Sequence, residues 1–429
     1  MTDHTLYGPF AEFAILLLIC ALAGAVFVRL RQPVLIAYIV VGIVVGPAVL
    51  GLVSAHDQVD LLAQVGVAVL LFAVGLKLDL QHVRHIGPVA LATGLGQLAF
   101  TIVIGFAIIL VLGKGVMEAL YVAVALTFSS TIIIVKLLSD KRELDSLHGR
   151  IAVGFLIVQD LAVVVAMMAM SAMRGAGGAD GAEISLGQVL LSLGWRLAAA
   201  ALVLGVLMRW VLPRVVAAMA RSQELLLVFA IAWGVALAAL GEWAGFSKEA
   251  GAFLAGFSLA STPYREAMNA RLTSIRDFLL LFFFIDLGAK LELSTLGAEL
   301  GPAVVLSLFV LIGNPLIVMA IMGWMGYRKR TGFLAGLTVA QISEFSIVFV
   351  AMGITLGHVG VGALGLTTLV GLITITASTY MILYSQPLYE RLSRWLGVFE
   401  RRNPFRELAA EQGQAGQRGA DVVVFGLGR

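Results

Sequence analysis

Apolar runs of roughly 20 residues recur from one end of the chain to the other, separated by short polar loops. Each is long enough to cross the ~30 Å hydrocarbon layer of a bilayer as a helix. The pattern predicts thirteen spans, at about 10–29, 33–50, 60–78, 87–112, 116–138, 150–173, 186–212, 223–241, 247–261, 273–289, 300–326, 331–355 and 360–384. The Gly/Ala-rich stretch 174–183 reads as a link between two halves. After Gln386 the pattern turns polar, as a linker leaving the membrane would.

The runs repeat. Leu71-Phe-Ala-Val-Gly75-Leu-Lys77-Leu-Asp79 matches Phe284-Ile-Asp-Leu-Gly288-Ala-Lys290-Leu-Glu292 at an offset of 213, and Gly42 matches Gly256 at 214. Spans one to six then align with eight to thirteen, leaving the seventh as connector. A shift of seven spans inverts the second copy, and inverted repeats point to a secondary transporter whose site lies near the midplane. Two aligned spans are interrupted at the same depth. One carries Thr127-Phe128-Ser129-Ser130-Thr131, the other Gln341-Ile342-Ser343-Glu344. Hydroxyls and amides there can serve backbone groups freed by unwinding.

Asp160 lies in the middle of 151–168, with Gln159 as the only strongly polar neighbour. A carboxylate at that depth costs roughly 3 kcal/mol or more in lipid, so it marks a functional site. Its position plus 214 lands on Thr374, so the acid is not duplicated. Burial raises a carboxyl pKa and a nearby cation lowers it, so proton and cation compete for one group. Glu344 is expected mainly to neutralise the positive helix N-termini at the break. Asp286, beside Lys290, suits a local pair or a pathway role, and Asn314-Pro315 a kink or a polar contact to the site.

Composition agrees: 60% of residues are hydrophobic and 13% charged, against about 25% charged in soluble domains. The single Cys20 supports no disulfide framework, and no cleavable leader is apparent. Lys and Arg fall seventeen to four on alternate loops, which predicts the N-terminus outside and the C-terminus in the cytoplasm. That bias accounts for the net charge of +3 without nucleic acid. No His lies in a span core, which argues against a His relay or a metal site beyond a monovalent cation. The last nine residues, Asp421 to Arg429, read as a strand entering Gly426-x-Gly428, the first turn of a Rossmann-type domain.

Taken together, Arg31-Gln-Pro33 to Gly46-Pro47, Leu71–Leu76, Phe128–Thr131, Gln159-Asp160, Gly251–Gly256 and Gln341–Phe345 resemble the Kef-type branch of the monovalent cation:proton antiporter-2 family. The resemblance implies an all-α sodium/proton-antiporter fold of thirteen helices in a homodimer, with two crossed, discontinuous helices. Spans one to three and eight to ten would form the scaffold, and the rest a moving core. It implies a K+/H+ antiporter, not an enzyme, of the bacterial inner membrane. Asp160 would be the carrier, Gln159 would tune cation choice, and Thr127, Ser129, Ser130 and Thr131 would join the site. Gln341, Ser343, Glu344 and Asn314 would support it, Asn314 standing where relatives often carry Lys. The domains expected are 1–390 in the membrane (first repeat 1–173, linker helix 186–212, second repeat 223–390), a cytoplasmic linker 391–420, and 421–429 opening a regulatory domain for an NAD(H)- or AMP-type nucleotide. A Na+/H+ antiporter of the same fold is the alternative. A ligand-gated K+ channel would need a selectivity-filter signature, and an organic-solute carrier a large polar cavity.

Overall fold

The computed structural model describes residues 9–46, 56–77, 88–144, 146–174, 202–243, 248–289, 293–401 and 404–407. Regular structure among them is helical. In the first half lie α1 (Pro9–Arg29), α2 (Val34–Val45), α3 (His56–Lys77), α4 (Pro88–Val111), α5 (Val116–Ala125), α6 (Thr131–Asp140) and α7 (Leu147–Arg174). Then α8 (Leu212–Met219) follows a π turn. The second half contains α9 (Gln223–Trp243), α10 (Lys248–Leu259), α11 (Arg265–Ala289), α12 (Leu293–Leu308), α13 (Asn314–Trp324), α14 (Lys329–Leu337), α15 (Glu344–Thr355), α16 (Val361–Leu383) and α17 (Ser385–Leu392).

Every expected span meets helix, but eight described helices are long and apolar enough to cross a membrane. The other five expected spans depart for identifiable reasons. Helices α2 and α10 have 12 residues each. Helix α11 carries Arg276, Asp277 and Asp286 within its apolar length. The remaining two spans are the interrupted ones. One boundary needs correction: the expected 186–212 helix runs on to Met219 through a π turn at Leu207–Val211, where the Leu212 N–H reaches back five residues to the Leu207 carbonyl just ahead of Pro213. Residues 175–201 lie outside the described part, as do Arg196, the 174–183 link beyond Arg174, Lys290, and 421–429 with Gly426 and Gly428.

Two groups of helices form. Helix α3 packs on α9, α10 and α11, α2 on α11, and α1 on α2. In the other group α4 meets α5, α7 and α13, α12 meets α16, α14 meets α7 and α13, and α15 meets α5 and α16. The first group is joined by backbone contact. A Cβ on Gly42 would lie 2.3 Å from the Ile285 carbonyl oxygen beside Gly288, and one on Gly75 would lie 2.3 Å from the Phe253 oxygen beside Gly256. The matched positions 42/256 and 75/288 thus contact each other crosswise, α2 on α11 and α3 on α10.

The tail from 391, expected to be linker, packs in part against the second group, through Leu396, Phe399 and residues 404–407. Leu396 and Phe399 face its core while Arg391, Arg394 and Arg401 face outward. Arginine-rich composition registers only the outward face, so the pattern looked like departure from the membrane.

A candidate ion site where two broken helices meet

Both interrupted spans unwind where the hydroxyl clusters stand. Helix α5 ends at Ala125 and α6 starts after its N-cap Ser130, whose Oγ accepts from the Ile133 N–H at 3.4 Å. Helix α14 ends at Leu337 and α15 starts after Ser343, whose Oγ accepts from the Phe345 N–H at 3.2 Å. Ser346 closes a capping box by accepting from the Ser343 N–H at 3.3 Å. Short side chains that bond their own backbone favour such ends over a continuing helix. The two N-caps are 213 positions apart.

The breaks touch. Ser346 Oγ donates to the Ala125 carbonyl at 2.6 Å. Asn314 Nδ2 donates to the Leu126 and Val339 carbonyls, each at 3.4 Å. One amide therefore serves the carbonyl ends of both half-helices, where the helix dipoles leave partial negative charge. Asn314 itself follows a π turn, Phe309–Gly313, so an irregular turn and a polar contact stand side by side.

The acids stand at the opposite ends. Asp160 on α7 is half-buried and its Oδ2 accepts from Thr131 Oγ1 at 3.0 Å, in the first turn of α6. Glu344 opens α15, is 3% exposed, and accepts from Ser343 Oγ at 3.3 Å. Carboxylates at positive helix ends and amide donors at negative ends form one consistent electrostatic arrangement.

Gln159 is built into the frame at both ends of its amide. Its Oε1 accepts from the Ser129 N–H at 3.1 Å, and its Nε2 donates to Gln97 Oε1 at 2.7 Å. Gln97 Nε2 donates to Thr101 Oγ1 at 3.1 Å, and Thr101 Oγ1 to Asn314 Oδ1 at 2.9 Å. A directed chain of neutral groups thus runs from the start of α6 to the carbonyl ends of α5 and α14. Gln97 and Thr101, at 1% and 0% exposure, were not singled out in the sequence. The signal was available: Thr101 stands 213 positions before Asn314. In the other half the Ile342 N–H is held by Thr374 Oγ1 at 3.3 Å.

Other expected site residues are placed as follows. Thr127 Oγ1 donates to the Val124 carbonyl at 2.7 Å, within its own chain segment. The Ser129 hydroxyl is buried without a hydrogen-bond partner. Gln341 Oε1 accepts from Ser378 Oγ at 2.6 Å. Two cavities flank the crossing, both between the two helix groups. One of about 620 Å³ runs from Arg31, Lys136 and Asp140 to Ser130 and Glu344. The other, about 240 Å³, is lined by Asp60, Glu242, Lys248, Glu249, Asp286 and the α15 residues Val348 and Met352. Asp286 therefore lines a cavity that reaches α15, outside the crossing itself.

Crossed broken helices, a half-buried acid and a cavity to either side define a secondary ion transporter. The chain belongs to the sodium/hydrogen exchanger family, whose transmembrane profile matches residues 14–383. It is 28% identical to "K(+) efflux antiporter 5" of Arabidopsis thaliana over 90% of this chain and 68% of that protein. It is 31% identical to "Iron transporter MagA" of Paramagnetospirillum magneticum over 79% of this chain and 77% of that one. The sodium proton antiporter MjNhaP1 of Methanocaldococcus jannaschii has the same fold, with a TM-score of 0.56 and 15% identity over 87% of this chain and 98% of that one. The Kef-type resemblance holds, and the family is one of cation/proton antiporters, not enzymes. The chain spans 57–68% of the length of the plant K(+) efflux antiporters it matches.

Proposed function

We propose that the protein exchanges K+ for H+ across the bacterial inner membrane, with Asp160 holding the proton and the cation in turn. The observation that carries this is the placement of Asp160. It is half-buried on α7 and bonded to Thr131 in the first turn of α6, among hydroxyls and amides, while the other acid at the crossing, Glu344, is buried against its own neighbour Ser343. One carboxylate in low dielectric binds either ligand but not both, and that exclusion is what couples the two fluxes. The Gln159-Asp160 pair and a relative named for K+ efflux favour K+ over Na+.

Two cavities between the helix groups support alternating access: the smaller is walled on one side by α15, the larger by α6, α16 and Glu344. Movement of α4–α7 and α12–α16 past α1–α3 and α9–α11 would open one and close the other. The inverted repeat of six plus six helices is supported by three pairings. The N-caps Ser130 and Ser343 are 213 apart. Thr101 and Asn314, which touch, are also 213 apart, as residues on a pseudo-twofold axis would be. The crosswise glycines supply the third. Thirteen spans, an outside N-terminus and a cytoplasmic C-terminus complete the reading. So does a homodimer in which α1, α8 and α9, the least covered spans, contribute to the interface. A nucleotide-controlled domain beyond residue 420 is the regulatory extension we expect.

The test is proton flux in proteoliposomes with K+ or Na+ as the only cation. Coupled exchange with K+ supports the proposal. Exchange with Na+ alone reassigns the cation, and K+ flux without proton counterflow would replace the antiporter with a channel.

A further inference from the structure

The second broken span is anchored by a residue from outside the expected membrane domain. Glu407 is 7% exposed although it lies beyond the last span. Its Oε2 accepts from the Arg328 N–H at 2.9 Å, and its Oε1 from Thr331 Oγ1 at 3.0 Å. Arg328 is the N-cap of α14 and supplies no side-chain cap of its own. A carboxylate thus meets the first turn of α14, where free N–H groups and the dipole favour negative charge. The cap comes from 79 residues away in sequence.

The segment that delivers Glu407 is fitted to its seat. The Arg406 N–H donates to the Gly326 carbonyl at 3.3 Å, and Lys329 Nζ to the Ser393 carbonyl at 3.1 Å. Gly326 has φ +91°, and a Cβ there would meet the Phe405 ring at 2.6 Å. A Cβ on Gly323 would stand 1.8 Å from the Phe399 carbonyl oxygen, so the strap rests on bare backbone. Tyr327, buried under it, has its pKa raised by that burial, against the lowering influence of Arg406.

Helix α14 has nine residues and hands directly on to the ion site. Its far end presents the Val339 carbonyl to Asn314 and leads through Gln341 to Ser343 and Glu344. Nine residues of helix span only about 14 Å, so the cap and the crossing are the two ends of one short element. The first broken span is pinned comparably at its entry, where Lys114 Nζ bonds Glu299 on α12 and Glu118 lies at 3.3 Å.

We propose that Glu407 is a positioning residue for exchange: by holding the start of α14 it sets where the Val339–Glu344 crossing lies, so the C-terminal segment acts on ion affinity through this cap. The inference rests on the exchange reading above.

The experiment measures apparent KM for K+ and rate at saturating K+, in proteoliposomes, for wild type, Glu407→Ala, Thr331→Val and Arg401→Ala. Loss of one or two capping bonds predicts a rise in KM of about three- to tenfold for Glu407→Ala and a smaller rise for Thr331→Val. The saturating rate stays within about twofold and Arg401→Ala, at an exposed site on the same strap, matches wild type. Partial misfolding would lower the rate and leave KM alone. If wild type exchanges and neither Glu407→Ala nor Thr331→Val moves KM, the inference is overturned. If wild type fails to exchange, it is the functional reading that falls. Should Glu407→Ala fail to reach the membrane, Thr331→Val decides the matter alone.

Discussion

The two broken helices share a frame and differ in chemistry. In the first half the N–H at the break is held by Gln159 Oε1, on the helix that also carries Asp160. In the second half the matching N–H is held by Thr374 Oγ1, and the nearby acid, Glu344, belongs to the break itself. Backbone capping was kept in both copies because each unwound end needs it wherever it stands. A carboxylate at position 374 would stand to the second break as Asp160 stands to the first, adding an ionisable group beyond Asp160 and Glu344. The comparison teaches that the duplicated parts cap the unwound backbone, and that the two halves differ in the groups set beside it, which is where our proposal places the exchange.

Asp160→Asn should have the largest effect. It keeps shape and hydrogen bonding while removing the titrating group, so coupled K+/H+ flux should fall to the level of empty liposomes with folding intact. Retained exchange would remove Asp160 from the mechanism. Next is Asn314→Ala, which strips the shared donor from the Leu126 and Val339 carbonyls. Each buried acceptor left unsatisfied costs about 1–3 kcal/mol, so thermal stability in detergent should drop markedly and transport with it. An unchanged melting curve would show that the dipole ends need no partner.

The matched pair Gln159→Leu and Thr374→Val sharpens the contrast between the halves. Each loses one capping bond, worth about 1 kcal/mol, and similar losses of stability are expected. Only Gln159→Leu should also change the K+/Na+ preference in exchange assays. If Thr374→Val shifts selectivity as much, the two breaks are chemically equivalent after all. The smallest effect belongs to Lys114→Met. Burial works against the Lys114 charge, but Glu299 and Glu118 outweigh it and raise its pKa above the ordinary 10.5. A raised folded value means the stabilisation is present below 10.5 and lost as pH climbs through the folded value. The variant should therefore be less stable than wild type by up to about 1 kcal/mol near neutral pH. Thermal melts taken at rising alkaline pH should converge.

Much of this was legible in the sequence. Asp160 stood out because charge in an apolar run is expensive, and the breaks stood out because two polar clusters share an offset. Other parts were hidden for physical reasons. Gln97 and Thr101 were passed over because single polar residues in an apolar helix carry no cluster signal, and only the 213-position offset from Thr101 to Asn314 marks the pair. Gln159 was expected at the site, but the partners of its amide, the Ser129 N–H and Gln97, come from other segments and leave no mark in its own sequence neighbourhood. The docking of Phe399 and Phe405 could not be read at all, because it depends on Gly323 and Gly326 in a different hairpin.

The crosswise glycines also dictate a schedule. Gly75 waits for Gly256, 181 residues later, and Gly42 for Gly288, 246 later. At synthesis rates of about 5–20 residues per second, the early helices stand in the lipid for roughly 10–50 s before their partners exist. Bare glycine surfaces exposed to other chains for that long are a hazard during biogenesis. The ribosome, by delivering α10 and α11 nearby, ends the wait.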